Sequence, residues 1–127
     1  MAEEDAADNL EDTANAGEDK VNEKLSLGGN IELVGFKQVG LSEVVVVKKL
    51  VGSYTRKIQE ASANFQGITV HLKEIHKIEN SAKHEINIKV IDEGKVFTAE
   101  TVDKNLFVAL DSALKKVLAE VTSHNRR

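Results

Sequence analysis

The spacing of apolar side chains changes twice along this chain, and those changes restrict its fold more than any other feature. Beyond Glu43, the residues Val44, Val47, Val51, Tyr54 and Ile58 recur every three or four positions, with Leu50 widening the stripe. Residues so spaced share one face of an α-helix. Further on, Ile68, Val70 and Leu72 alternate with Thr69, His71 and Lys73, and Ile86, Ile88 and Val90 alternate with Lys83, Glu85, Asn87 and Lys89. A period of two sends successive side chains to opposite sides of a strand, so both segments carry one apolar and one polar face. The helical period then returns at Leu106, Leu110, Ala113, Leu114, Val117, Leu118 and Val121.

Strands with one apolar face belong to a sheet that is covered on one side only. Ile31, Leu33 and Phe36 suggest a short first strand. Ser42 is placed to cap a helix running to about Ala61; the run Val44–Val47 prefers a strand by intrinsic propensity, but the helical spacing persists for four turns. Strands follow over residues 68–73, 83–91 and 95–101, with Phe97 and Ala99 pointing to the core and Asp92-Glu93-Gly94 making a tight turn. Asp103 or Asn105 caps the second helix. The expected fold is therefore α+β, in the order β-α-β-β-β-α, with two helices on one face of a four-stranded sheet. No internal repeat is present.

Charge divides the chain into unlike parts. Met1–Lys24 holds nine acids against two lysines, a net −7, whereas Leu25–Arg127 holds fifteen bases against twelve acids, a net +3. Residues 1–29 are mostly Ala, Asp, Glu and Asn with few larger aliphatics, too little apolar surface to offset the entropy of ordering, so they read as a disordered acidic extension. The Gly28-Gly29 pair marks its end, a folded domain occupies 30–123, and a short basic tail covers 124–127. The chain contains no cysteine, which excludes a disulfide scaffold, a thiol nucleophile and a Cys-ligated zinc. Its longest purely aliphatic run is Val44–Val47, against the roughly 18 residues that a membrane-spanning helix needs. The acidic N-terminus lacks the basic and apolar regions of a signal peptide. The expectation is a soluble, cytoplasmic protein with no membrane partner.

Catalysis finds little footing. His71 and His76 lie five residues apart on a segment that reads as a strand, so they face opposite ways, whereas zincin-type ligands sit one helical turn apart. The glycines lack the spacing and the Lys-Ser/Thr of a phosphate loop, and no serine stands in a G-x-S-x-G elbow. No enzyme activity, cofactor, metal or small-molecule substrate is expected. What remains is the distribution of basic residues: Lys48, Lys49, Arg56 and Lys57 on the first helix and Lys115 and Lys116 on the second. Helices lying side by side could combine them into a stripe suited to phosphate backbones. The plainer reading is a solvated face, since Glu43, Glu60, Asp111 and Glu120 are interspersed and Asp111 and Lys115 form an i,i+4 pair.

The run Asp103-Lys104-Asn105-Leu106-Phe107-Val108-Ala109-Leu110-Asp111, followed by Lys115-Lys116-Val117, resembles the acidic, Met-Tyr-x-Ala-Ile-Asp and Lys-Leu pattern of the ribosome hibernation-promoting factors, the ribosome-associated inhibitor or sigma-54 modulation family. Lys48-Lys49-Leu50 resembles that family's basic-then-Leu step more loosely, and element lengths match over about Ile31–Val121. The resemblance implies a β-α-β-β-β-α domain, similar to double-stranded RNA-binding domains, that lodges in the mRNA and tRNA channel of the small ribosomal subunit and stops translation by occupancy, with rRNA as partner. It also implies that Lys49 and Lys116 hold the family's basic helix positions, with Arg56 and Lys115 as neighbours. Ala119, Ser123, Gly52 and Thr55 stand where further bases are usual in the family. A general RNA-binding module and a protein-interaction domain are the alternative readings.

Overall fold

The computed structural model of the protein describes residues 24–26, 30–75 and 82–126, with side chains placed in the latter two stretches. Its elements are β1 (Lys24–Ser26), β2 (Ile31–Val34), α1 (Leu41–Ala61), β3 (Phe65–Ile75), β4 (Lys83–Asp92), β5 (Lys95–Asp103) and α2 (Leu106–Asn125). The strands form one sheet in the order β1-β2-β3-β4-β5. β2 and β3 are parallel, joined by α1 as the crossover, and every other pair is antiparallel. The expected β-α-β-β-β-α order is present, and β1 adds a strand at its N-terminal edge.

Alternation decides which face is covered. Leu33, Ile68, Val70, Ile86, Ile88, Val90 and Ala99 are buried on one side of the sheet. From the helices they meet Val47, Val51, Tyr54 and Ile58 of α1 and Leu106, Ala109, Leu110, Ala113, Leu114, Val117 and Val121 of α2. These are the two stripes whose spacing predicted the helices. The opposite face is polar and, among the described residues, unpacked, with His71 across from Asn87 and Asn87 across from Glu100 in adjacent strands.

Three local features differ from the sequence reading. Gly40, not Ser42, is the N-cap of α1, and its backbone N–H donates to Glu43 Oε1 at 3.2 Å. β2 ends at Val34 because the backbone turns at Gly35, with φ +88°; a Cβ there would lie 2.2 Å from the carbonyl oxygen of Leu72, so only glycine lets the chain pass this close to β3. Phe36, expected in the strand, instead anchors the following loop and is 1% exposed. Finally, Lys24–Ser26 pairs with Val34–Glu32 as an edge strand, inside the stretch read as an extension. A three-residue strand carries too few side chains to show an alternation.

The turn after β4 follows expectation. Glu93 and Gly94 both have positive φ, 53° and 79°, as a two-residue type I′ hairpin requires. The residue before it does more than turn the chain. Asp92 is 2% exposed and accepts hydrogen bonds from Asn64 N (2.7 Å), Ala63 N (3.2 Å) and Asn125 Nδ2 (3.0 Å). It thereby ties the residues after α1, the end of β4 and the end of α2 into one knot. Burial raises the pKa of this carboxyl, but those bonds, led by Asn64 N–H, together with the nearby His124, outweigh it and hold the pKa below its ordinary value. A carboxylate with a depressed folded-state pKa stabilises the fold at pH above its unfolded value of about 3.9, and that stabilisation is lost as pH falls through the folded value. Asp92→Ala should lower stability by about 1–3 kcal/mol at neutral pH in urea unfolding. The deficit relative to wild type should shrink toward the acid limit, and an acid-independent difference would refute this role.

Candidate nucleic-acid interface

All six basic residues singled out on the helices are exposed, but they do not form one stripe. On α1, Lys49 and Arg56 lie two turns apart on the same outward line, because Val47, Val51, Tyr54, Thr55 and Ile58 take the inward face. Lys48 points to the flank of α1 opposite Tyr54. Lys57 lies on the Tyr54 flank, its Nζ 5.1 Å from the centroid of the Tyr54 ring, a cation–π geometry. Among the described residues, Lys48, Lys49 and Arg56 make no ion pair.

Where α1 meets α2, Tyr54 Oη donates to Asp111 Oδ1 at 3.0 Å, and Lys115 Nζ lies 3.1 Å from Asp111 Oδ2. Lys57 of α1 and Lys115 of α2 therefore converge on one carboxylate. The Lys115 hydrogen bond, then that from Tyr54, hold the Asp111 pKa below its ordinary value. The same bond raises the pKa of Lys115. Burial, and then its hydrogen bond to the charged Asp111, raise the Tyr54 pKa. Asp111 thus cancels one of the two positive charges at this seam, as the i,i+4 spacing foretold. The contact from Tyr54, 57 positions away in sequence, is not visible in any local pattern.

Lys116 occupies a different place. One position on from Lys115, it is turned about 100° around the helix, and its Nζ reaches the carbonyl oxygen of Glu100 on β5 at 3.4 Å. It belongs to the edge of the sheet and not to the outer helical face with Lys49 and Arg56. On the polar side of the sheet, Lys73 sits opposite Glu85 and Lys89 opposite Thr69 and Thr98, a face of mixed sign.

The histidines stay apart. His71 is on the polar face, His84 Nδ1 lies 3.1 Å from the Lys104 carbonyl oxygen, and the His124 ring stands edge-on to Phe97 at 5.4 Å; His76 lies outside the described residues. Among the described residues no three His, Asp or Glu side chains gather as a metal site. A cleft of about 680 Å³ opens at the end of the domain where both helices begin, lined by Glu43 and Glu74 as well as His84 and Lys104. The backbone donors beside it are taken: Asn105 Oδ1 accepts from Phe107 N (2.8 Å) and Val108 N (3.2 Å). Asn105 is thus the cap of α2, while Asp103 Oδ1 accepts from Asn105 N at 2.9 Å. Among the described residues no helix is long and apolar enough to cross a membrane.

No protein-family model matches this sequence, and no curated protein matches it. Among solved structures, the chain is similar to the N-terminal domain of Thermus thermophilus Protein Y, with a TM-score of 0.51 and 19% identity over 62% of this chain and 82% of that one. The two share a fold.

The seam carries its own test. Tyr54→Phe should weaken the fold by about 1 kcal/mol, the usual worth of a part-buried hydrogen bond. In a double-mutant cycle with Asp111→Ala, the loss from the second change should be smaller than from either alone. Additive losses in urea unfolding would show that the helices do not communicate through this bond.

Proposed function

We propose that the protein is a ribosome-associated translation inhibitor. It would occupy the mRNA and tRNA channel of the small subunit, in the cytoplasm, through phosphate contacts made by its outer helical face and without catalysis. The observation that carries this reading is the line of Lys49 and Arg56 on α1, exposed and without acidic partners among the described residues. It stands on the fold shared with the Protein Y N-terminal domain. The Asp103–Val117 run that resembles the hibernation-promoting factors supports the same reading.

Phosphate contact needs a cation whose charge is not already spent. Lys48, Lys49 and Arg56 meet that condition, and Lys57, whose Nζ lies over the Tyr54 ring, makes no ion pair among the described residues. Lys115 is shared with Asp111, so it adds less, and Lys116 would contact RNA from the β5 side of α2. Each ammonium or guanidinium that neutralises a phosphate releases counterions, which makes such binding steeply salt-dependent. The acidic residues of 1–23 oppose these cations in charge and would compete with RNA for them.

Co-sedimentation with small ribosomal subunits at low and physiological salt tests the proposal. Wild type should bind in a salt-sensitive way. Lys49→Glu/Arg56→Glu should weaken binding at least tenfold and flatten the salt slope by about two phosphate contacts. Removing residues 1–22 should tighten binding at low salt. Absence of binding at both salts would rule the proposal out and favour a protein partner.

A further inference from the structure

The two edges of the sheet are unequal. β1 at one edge has three residues, whereas β5 at the other has nine and, among the described residues, no strand beyond it. The geometry of the β4–β5 hairpin says which of its backbone groups are free. In a two-residue type I′ turn the flanking residues, Asp92 and Lys95, form a mutually hydrogen-bonded pair, and bonded and non-bonded pairs then alternate along the ladder. Lys95, Phe97, Ala99, Thr101 and Asp103 therefore direct their N–H and C=O groups at β4. Val96, Thr98, Glu100 and Val102 direct theirs away from the sheet. The contact from Lys116 Nζ to the Glu100 carbonyl oxygen, at 3.4 Å, agrees with this alternation.

The same four residues place their side chains on the unpacked face, and Val96 and Val102 there are 57% and 46% exposed. A groove of about 460 Å³ follows this edge, between Glu100–Asp103 and the Ser112 and Lys116 side of α2. A long edge strand with free main-chain groups and exposed valines is a template for another strand.

The sequence of β5, Lys-Val-Phe-Thr-Ala-Glu-Thr-Val-Asp, identifies which strand fits. Laid antiparallel on itself about Ala99, it sets Val96 against Val102, Thr98 against Glu100, and Lys95 against Asp103. In that register the outward-directed residues meet only one another, so every pair that must exchange hydrogen bonds does so. The two exposed valines cover each other on the outer face, and a cation faces an anion at both ends on the helical side, in the closely spaced non-bonded positions. Shifting the strands by two residues either way loses both the valine pairs and the charge pairs.

We propose that β5 is a self-complementary interface through which a second copy of this chain extends the sheet, β5 to β5, about a two-fold axis at Ala99. Such an axis uses the same patch on both copies and closes at the dimer. α2 lies over β4 and β5, so the two α2 helices would come side by side along Ser112 and Ala119, small residues that permit close approach. Lys116 would leave the Glu100 carbonyl, which then accepts from Thr98 N–H of the second copy. Lys49 and Arg56, on the far helix α1, stay outside this interface, so it does not depend on the RNA-binding proposal.

Sedimentation velocity of the full chain, from micromolar to near-millimolar concentration, tests it. The expected result is a shift from the 13.9 kDa monomer toward twice that mass. Thr98→Pro removes a donor that points away from β4, so the β4–β5 ladder and the thermal unfolding midpoint should be kept while the dimer is lost. With no native cysteine in the chain, Val96→Cys/Val102→Cys should be joined into a covalent dimer by a short bis-maleimide, and Lys73→Cys, exposed on β3 and far from the β5 edge, should not. A monomer at every concentration would overturn the proposal. So would a dimer that survives Thr98→Pro, or one that Lys73→Cys captures and the double variant does not.

Discussion

A sheet whose strands carry apolar residues on one side must be covered there and nowhere else, and the rest of this molecule answers to that constraint. Leu33, Ile68, Val70, Ile86, Ile88 and Val90 give a surface wide enough for two helices lying side by side. The crossover from β2 to a parallel β3 puts α1 on that surface, and the return from β5 puts α2 beside it. Both helices then run against β2, β3 and β5, begin at one end of the sheet and finish at the other. Asp92 sits at the finishing end and receives donors from the segments that follow α1 and close α2. The knot is a consequence of the layering, since only a shared end brings those groups within reach of one carboxylate.

The same layering sorts the basic side chains. Because the helices touch along Tyr54 and Asp111, the cations near the seam are partly neutralised and those on the outer line of α1 are not. Lysines adjacent in sequence, Lys115 and Lys116, end on different sides of α2 and serve different surfaces. The cationic surface without acidic partners among the described residues is therefore narrower than the count of lysines and arginines suggests, and it lies on α1.

Much of this could be read before any coordinates. Val44 to Ile58 and Leu106 to Val121 predicted both helices because their spacing records which way each side chain must face, and Ile86-Ile88-Val90 did the same for β4. The unread parts depend on groups that spacing does not encode. β1 pairs with β2 over only three residues, too few to show an alternation. Gly40 caps α1 through its own N–H and the Glu43 side chain, so no capping side chain announces it. Asp92 looked like a turn residue because it is one; its burial comes from Ala63, Asn64 and Asn125, which no window around it contains. For the candidate interface, the residue types were legible but their grouping was not, since the direction of Lys116 is set by where α2 rests on β5.

The order of pairing along the sheet also bears on how the chain reaches this state. β3, β4 and β5 follow one another through short connections, so their ladders can close by contacts between residues near in sequence. β2 is different: Ile31 must find Ile68 across the whole of α1 before any parallel bond forms. Closing that loop costs entropy that only a formed and seated helix can offset. The ladders of the meander are thus expected to close before those of β1–β2, so that the sheet zips toward its N-terminal edge and, under tension applied at that terminus, would unzip from it.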